Sequence, residues 1–302
     1  MKRAALILTM LLAGAGAVSA QVGSSSFYSN GSLQYEYLGN ASGASQTFAT
    51  ADFNVGMGFG GISSAPMGFE LGVFSFAGDS GERYVLFPTL WMDSAYGRFS
   101  VGAPRSALGS ALSFPNIGGS SILSLELRSI ANLTDFVVLD ESDVRSFGAR
   151  FDGAVGSLDA GLSVHGFTGS GEGDYSVTGV VGRDYGAFEF AVGFEAFGGE
   201  TTPIQSYIGR IGYDVRRYGA HLTVAQSSRV SETIAIADAF YRPLDWLRLE
   251  ASYASVGGTF NIYGVSAEAS FLNNGFAGIG YLGSDGSIDP VYTAYVGWKL
   301  NY

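Results

Sequence analysis

Two residues in the sequence have the spacing of a hydrolytic dyad. Ser163 and His165 lie two residues apart, which places both side chains on the same face of a β-strand. A serine nucleophile beside a histidine base is the arrangement used for acyl transfer. The chain lacks the Gly-x-Ser-x-Gly turn that presents such a serine in many hydrolases, and serine is common in this region. The sequence therefore predicts a protein that is not an enzyme, with a hydrolase as the alternative.

A second group of residues has metal-binding chemistry. Asp135, Asp140, Glu141 and Asp143 lie close together, and calcium takes several carboxylate oxygens as ligands. The group lacks the spacing and the central glycine of a dedicated calcium loop, so a solvated acidic loop is the favoured interpretation and calcium the alternative. The chain has no cysteine, which excludes disulfides, thiolate zinc sites and cysteine nucleophiles. We therefore predict no cofactor.

The overall composition is unusual for a soluble enzyme. The chain of 302 residues contains 45 Gly, 22 Phe, 17 Tyr and 3 Trp, and only 14% of it is charged. A typical soluble domain has about 25% charged residues. Hydrophobic residues make up 47%, which excludes a disordered chain. The net charge is −11, and because phosphate binding needs clustered basic residues, nucleic acid is excluded as a partner.

The first twenty residues have the pattern of a secretory signal peptide. Residues 1–3 are Met-Lys-Arg, residues 4–12 are apolar, and residues 18–20 are the small residues Val-Ser-Ala. We predict cleavage after Ala20, which leaves residues 21–302 as one domain. This part has no apolar run of about 18 residues or more, the length that a spanning helix needs. A closed β-barrel is the other structure that can cross a bilayer.

Alternating side chains support a barrel. Near the C-terminus, Tyr292, Trp298 and Leu300 share an apolar face, while Lys299 lies on the opposite face. An apolar face with aromatic ends, opposite a polar face, is typical of a strand between lipid and an aqueous lumen. Sixteen segments alternate in this way, an even number as in bacterial single-chain barrels. The predicted strands are 31–39, 46–59, 67–77, 83–93, 97–103, 143–152, 156–166, 173–183, 186–196, 204–214, 217–227, 231–241, 246–255, 260–270, 275–284 and 290–302.

One connection between the predicted strands is long. Residues 104–142 separate the fifth and sixth strands and show no sustained alternation. A loop of that length within a compact domain is usually functional. We therefore predict an all-β protein, a transmembrane antiparallel barrel of about 16 strands, whose third external loop folds into the lumen and narrows it.

The sequence resembles the Gram-negative general diffusion porins, the sixteen-stranded trimeric channels of the outer membrane. The signal peptide, the alternating segments, the long loop 104–142 and the C-terminal strand carry this resemblance. Trp298, Leu300 and Tyr302 resemble the signal that the outer-membrane assembly machinery reads, although porins more often end in Phe. The resemblance implies a homotrimer in the bacterial outer membrane, in contact with lipid and lipopolysaccharide. It also implies a pore in which the loop faces basic residues of the wall.

The alternation predicts which charged residues face the pore. The predicted wall arginines are Arg98, Arg150, Arg210, Arg217 and Arg248. The predicted loop acids at the constriction are Glu126, Asp135, Asp140, Glu141 and Asp143. Ordinary solvated lumen charges and loop-anchoring ion pairs are the alternative for each of these residues. Asp238 shares a face with Ile234, Ile236 and Phe240, and either a bulge changes the alternation there or the residue lies near a rim.

These assignments predict a water-filled channel for passive diffusion of small hydrophilic solutes and ions. The predicted wall acids are Glu36, Asp52, Glu70, Glu189, Glu195, Asp214, Glu250 and Glu268. With the five loop acids, and with Arg105 and Arg128 of the loop added to the five wall arginines, the predicted lumen holds thirteen acids against seven arginines. Because carboxylates raise the local concentration of cations, we expect weak cation selectivity. A substrate-selective channel, for example for sugars, is the alternative and would use aromatic side chains along the lumen.

Overall fold

The computed structural model describes most of the chain. The described residues are 25–60, 66–79, 81–112, 114–140, 144–169, 174–199, 203–230, 232–258, 260–272, 274–286 and 289–301. The predicted signal peptide at 1–20, Glu141, Asp143 and Tyr302 lie outside them.

Sixteen strands form the body of the protein. They are β1 (Ser25–Asn40), β2 (Ser45–Phe59), β3 (Met67–Gly78), β4 (Gly81–Ser94), β5 (Gly97–Gly102), β6 (Arg145–Val155), β7 (Leu158–Thr168), β8 (Tyr175–Tyr185), β9 (Phe188–Gly198), β10 (Ile204–Val215), β11 (Tyr218–Ser227), β12 (Thr233–Leu244), β13 (Leu247–Val256), β14 (Phe260–Phe271), β15 (Gly275–Ser284) and β16 (Val291–Asn301). Each strand pairs antiparallel with its neighbours in sequence, and β1 pairs with β16 to close the barrel. The predicted fold class and strand number are confirmed.

Short turns join the strands at one end of the barrel. Residues 95–96, 156–157, 186–187, 216–217 and 245–246 are two-residue turns, which tightly constrain the pairing of the strands on either side. Gly156 has a φ of +66° and Gly186 a φ of +64°, the left-handed conformation that such turns need. The turns at 156–157 and 186–187 lie further along the chain than predicted. As a result, β6 to β9 begin about two residues later than their predicted bounds.

The two faces of the barrel wall differ in polarity. Leu90, Val101, Ile211 and Ile279 are at least half exposed on the outer face, although all are apolar. Exposed aromatic residues lie near both ends of the strands, as in the interfacial girdles of membrane barrels. One girdle contains Tyr84, Tyr175, Tyr207, Tyr253 and Tyr292, and the other contains Tyr96, Tyr185, Tyr218 and Trp246. This outer face suits a lipid environment.

Three helices lie in the long connection between β5 and β6. They are α1 (Ala107–Ala111), α2 (Ser121–Ala131) and α3 (Leu133–Asp140), and the sequence analysis did not predict them. The Ser106 side chain caps α1 by accepting a hydrogen bond from the amide of Gly109 at 2.9 Å. Within the described residues, none of the helices has the length and apolar character needed to cross a bilayer.

Candidate pore and the segment 104–140

Residues 104–140, which we call the segment, pack against side chains of the barrel strands through apolar contacts. Leu108 of α1, Leu112 directly after it and Leu127 of α2 are almost fully buried. They belong to a cluster with inward residues of six consecutive strands, β10 to β15, which are Ile208, Ala225, Ile234, Ile236, Ala254, Ile262 and Leu282. Burial of this much apolar surface fixes the segment to the wall.

A second apolar contact lies elsewhere on the wall. Phe136 and Leu139 of α3 pack against Phe74 of β3 and Val85 and Phe87 of β4. The rings of Phe74 and Phe136 have centroids 5.7 Å apart in an edge-to-face arrangement, which is a favourable geometry for aromatic pairs. The segment therefore contacts the wall on more than one side of the barrel.

The environment of Asp238 follows from this packing. Ile234, Ile236 and Phe240 are buried because this part of β12 faces inward, toward the segment, and not toward lipid. Asp238 lies on the same inner face, and its Oδ2 is 2.8 Å from Nδ1 of His221 on β11. Neither a bulge nor a rim position is needed to explain this carboxylate.

Two buried wall carboxylates hold the first turns of α2 and α3. Glu36 of β1 accepts hydrogen bonds from the amide and hydroxyl of Ser121 at 2.9 and 2.7 Å. Glu195 of β9 accepts from the amides of Leu133 and Thr134 at 2.7 and 2.8 Å, and from the Thr134 hydroxyl. Both carboxylates are 1% exposed. A negative charge at a helix N-terminus is favourable, because the exposed amides there carry partial positive charge.

The two carboxylates that hold the helices belong to strands on opposite sides of the barrel. β1 and β9 are eight strands apart in the closed ring of sixteen, so Glu36 and Glu195 come from opposite sides of the barrel. Other polar contacts join the segment to further strands. The amide of Ala107 donates to Ser163 of β7 at 3.1 Å, and the Thr293 hydroxyl of β16 donates to the carbonyl of Gly118 at 2.7 Å.

Asp135 has a different role from the one that the sequence predicted. Its carboxylate is buried at 5% exposure and accepts hydrogen bonds from the Ser106 amide and from Nδ2 of Asn132, both at 2.8 Å. The expectation that Asp135 faces the pore is therefore corrected. The reason is local: the start of α1 and the start of α3 lie together, and their polar groups need a buried acceptor.

The ion pair between wall and segment has the reverse of the predicted polarity. The guanidinium groups of Arg105 and Arg128 belong to the segment, and the carboxylate belongs to Asp52 of β2. Arg105 Nη1 is 2.8 Å from Oδ1 of Asp52, and Arg128 Nη1 is 3.0 Å from Oδ2. The sequence predicts a constriction in which acids of the loop face arginines of the wall.

Four of the five predicted wall arginines are paired with acids of the wall. Arg98 contacts Asp93 at 2.7 Å, Arg210 contacts Glu189 at 2.7 Å and Arg248 contacts Glu250 at 2.8 Å. Arg150 pairs with Asp152, and Lys299 contacts Glu268 at 3.1 Å. Asp93 and Asp152 were missed by sequence reasoning, although alternation already places Arg150 and Asp152 on one face. Asp52 thus anchors the segment to the wall through ion pairs, whereas these wall arginines pair with acids of the wall itself.

Two open cavities lie between the segment and the wall, one of about 550 Å³ and one of about 270 Å³. Another cavity of about 550 Å³ is lined by residues of β6 to β10. The charged residues lining the first cavity are Arg98, Arg105, Arg128, Arg150, Asp52, Glu70 and Asp152. This cavity has four arginines against three carboxylates. It therefore lacks the excess of acids over arginines that the sequence predicts for the lumen as a whole.

The remaining predicted site residues are scattered. Glu126 is exposed on α2, and Arg217 is exposed in the turn before β11, outside the strand in which it was predicted. Asp140 ends α3, but its side chain is not among those described. Within the described residues, no group of three or more acidic or histidine side chains is arranged to hold a metal ion.

The residues of the possible hydrolytic dyad hold the segment. Ser163 bonds to Thr178 at 2.6 Å and accepts from the Ala107 amide, while His165 Nε2 donates to the carbonyl of Pro104 at 2.9 Å. Ser163 is 1% exposed and His165 is 4% exposed. Because a substrate carbonyl has no access to a buried serine, this geometry does not support the hydrolase alternative.

The C-terminal strand has the predicted alternation. Trp298 pairs with Leu33, and Leu300 pairs with Gly31 of β1, so the closing strand is joined to the first strand over its length. Trp298 and Leu300 lie on the outer face, and Leu300 packs with Leu33 and Phe53. This agrees with the apolar side predicted for the strand.

The fold of this chain is similar to that of solved structures, although its sequence matches no known family. No known family model matches the sequence, and no curated protein sequence matches it. Among solved structures, a mutant of Rh. blastica porin superimposes with a TM-score of 0.67 and 12% identity, and another mutant of that porin with 0.65 and 12%. A triple mutant of Rhodopseudomonas blastica porin gives 0.63 and 11%. Each comparison covers 91% of this chain and 100% of the other. The chain therefore has the fold of the sixteen-stranded porins.

Proposed function

We propose that the protein is an outer-membrane channel for passive diffusion of small hydrophilic solutes and ions. The observation that carries this proposal is the closed sixteen-strand barrel, whose outer face is apolar and whose interior contains cavities lined by charged side chains. An apolar outer face is stable against the lipid of a bilayer, and charged side chains in the interior are stable in contact with water. The solved porins with this fold support the same reading.

We further propose that the segment lies in the lumen as the constriction. Its hydrogen bonds to Glu36 and Glu195 on opposite sides of the ring support this position, because a segment outside the barrel cannot reach the inner faces of both strands. Its apolar contacts with β3, β4 and β10 to β15 give further support.

The proposed ion selectivity is weak and favours cations. Lumen charges are paired locally, so they contribute little net field at a distance. The end of the barrel with the longer links carries more acids than arginines among its described residues. These are Asp79, Glu82, Asp174, Glu232, Asp285 and Asp289 against Arg83, Arg145 and Arg229. An acidic mouth concentrates cations, and this effect decreases as salt screens it.

The substrate-selective alternative receives less support. Inward aromatic residues such as Phe74, Phe87 and Phe167 are buried in packing contacts and do not line an open path. A sugar ladder needs aromatic faces that remain exposed to the solute. Burial of Ser163 and His165 also favours a channel over an enzyme.

We also propose export by the signal peptide 1–20, insertion by the outer-membrane assembly machinery, and a homotrimer. The outer face of β1 to β3 supports the last point. Leu33 and Phe53 are buried there, and the small side chains of Ala49, Ala51 and Ser75 lie on the same face. Such a surface fits close contact with a second copy of the chain better than an irregular one.

Planar bilayer recordings test the channel proposal. Purified protein should give stepwise conductance increments that grow with salt, and liposomes containing it should swell at rates that fall as the added sugar becomes larger. Saturation by one sugar would instead indicate a selective channel. Protein that is folded and inserted but gives no conductance would contradict the proposal.

Engineered cysteines test the position of the segment. The native chain has no cysteine, so the introduced thiols are the only ones present. Ala107→Cys with Ser163→Cys should form a disulfide, because the Ala107 amide already contacts the Ser163 hydroxyl at 3.1 Å. Ala107→Cys with Ser252→Cys is the control, since Ser252 lies on β13 and contacts the Gly118 amide instead. Equal yields for the two pairs would contradict the proposed position.

A further inference from the structure

We infer that Asp52 is a specificity-determining residue of the proposed channel, because it is the shared ion-pair partner of the two arginines that the segment presents to a charged cavity of about 550 Å³. Its two carboxylate oxygens contact different guanidinium groups, Arg105 at 2.8 Å and Arg128 at 3.0 Å. In the described part of the chain, it is the only carboxylate in ion-pair contact with either of them. This inference rests on the proposed function.

The other partners of the two arginines carry no charge. Arg105 also donates to the side-chain carbonyl of Asn54 and to the backbone carbonyls of Phe53 and Val73. Arg128 also donates to the carbonyl of Gly109 at 3.2 Å. These hydrogen bonds keep both guanidiniums in place when the carboxylate is removed, but they do not cancel their charge.

Asp52 is placed to act on ions in the cavity. Its side chain is 35% exposed and lines the cavity of about 550 Å³ beside both arginines. The other two arginines of that cavity, Arg98 and Arg150, have partners of their own in Asp93 and Asp152. Removal of the Asp52 charge therefore raises the positive excess of this three-residue ion-pair group from one to two at a single place, whereas loss of Asp93 or Asp152 raises the excess of its pair from zero to one.

The sign of the effect follows from this imbalance. A pair of unpaired guanidiniums attracts anions and repels cations within a Debye length of about 8–10 Å, which is comparable with the size of the cavity. The segment carries these charges, so they lie at the proposed constriction and not along the wide part of the barrel. Asp52 thus limits the positive excess that the two segment arginines bring to the proposed constriction.

The test is the reversal potential of single variants in a KCl gradient. Asp52→Asn preserves the shape of the side chain and should change the ratio of potassium to chloride permeability about threefold or more toward chloride. Arg128→Gln should change it toward potassium. The double variant with both substitutions should return close to the wild-type ratio, which a general loss of structure would not produce.

Glu268→Gln is the matched control. It also removes one lumen carboxylate from a basic partner, Lys299, but far from the segment arginines. Its permeability shift should be clearly smaller than that of Asp52→Asn. Equal permeability shifts in the two variants, or an unchanged permeability ratio in Asp52→Asn, would overturn the inference. In that case a conducting wild type would still support the channel proposal. Absence of wild-type conductance would contradict the proposed function itself.

Discussion

Substitution of Glu195 should release one end of the segment without opening the barrel. The carboxylate is 1% exposed and accepts three hydrogen bonds from the first residues of α3. The strand β9 that carries it keeps its pairing with β8 and β10, since those bonds involve only the backbone. We therefore expect a local effect on the segment in Glu195→Ala and Glu195→Gln.

The size of the effect follows from the bonds lost. Each hydrogen bond contributes about 0.5–1.5 kcal/mol, and a buried amide without an acceptor costs about 1–3 kcal/mol. Glu195→Ala removes the acceptor of three hydrogen bonds and leaves two buried or half-buried amides without one, so we expect it to destabilise the docked α3 by about 3–5 kcal/mol. Glu195→Gln keeps one acceptor oxygen but replaces the other with an amide donor, and should cost about 1–2 kcal/mol.

Hydrogen exchange measured by mass spectrometry reads this local stability. Because about 1.4 kcal/mol corresponds to a factor of ten in an equilibrium constant, amides of α3 should exchange at least a hundredfold faster in Glu195→Ala. About tenfold is expected for Glu195→Gln, with barrel strands unchanged in both. Glu189→Gln is the control on the same strand, because Glu189 pairs with Arg210 and not with the segment. Exchange of α3 within threefold of wild type in Glu195→Ala would refute the reasoning.

Three further predictions concern different parts of the chain. Gly280→Val should push the segment off the wall, because a side chain at Gly280 overlaps the carbonyl of Gly118, and single-channel records should then show added current noise. Asp135→Asn should lower the protease resistance of the segment and leave the reversal potential unchanged, since the carboxylate is buried against Ser106. Deletion of Tyr302 should abolish recovery of heat-modifiable protein in the outer membrane, and normal recovery would show that the terminal signal lies elsewhere.

The barrel was predictable because alternation is a local property. Successive strand residues point to opposite faces, so the inward positions of Arg98, Arg210 and Arg248 could be counted from the sequence. The same rule predicted the outward positions of Trp298 and Leu300. Strand bounds were less accurate where a two-residue turn such as 156–157 replaced the expected longer one.

The segment was less predictable because its contacts are distant in sequence. Asp135 was expected to face the pore, and only the approach of Ser106 explains why its carboxylate is buried. A signal for α2 was present, since Leu123, Leu127 and Ile130 have the spacing of one helix face. Nothing in the local sequence shows that the segment arginines meet a wall acid, the reverse of the predicted pairing of loop acids with wall arginines.

Single-channel conductance of the wild type and of a variant without residues 107–139 tests the central claim most directly. A short flexible linker in place of these residues joins β5 to β6, and heat modifiability shows that the barrel has closed. If the chain is a diffusion channel with the segment as its constriction, the wild type conducts in discrete steps and the variant conducts several times more current. Equal conductance in the two proteins, or none in the wild type, would contradict the account.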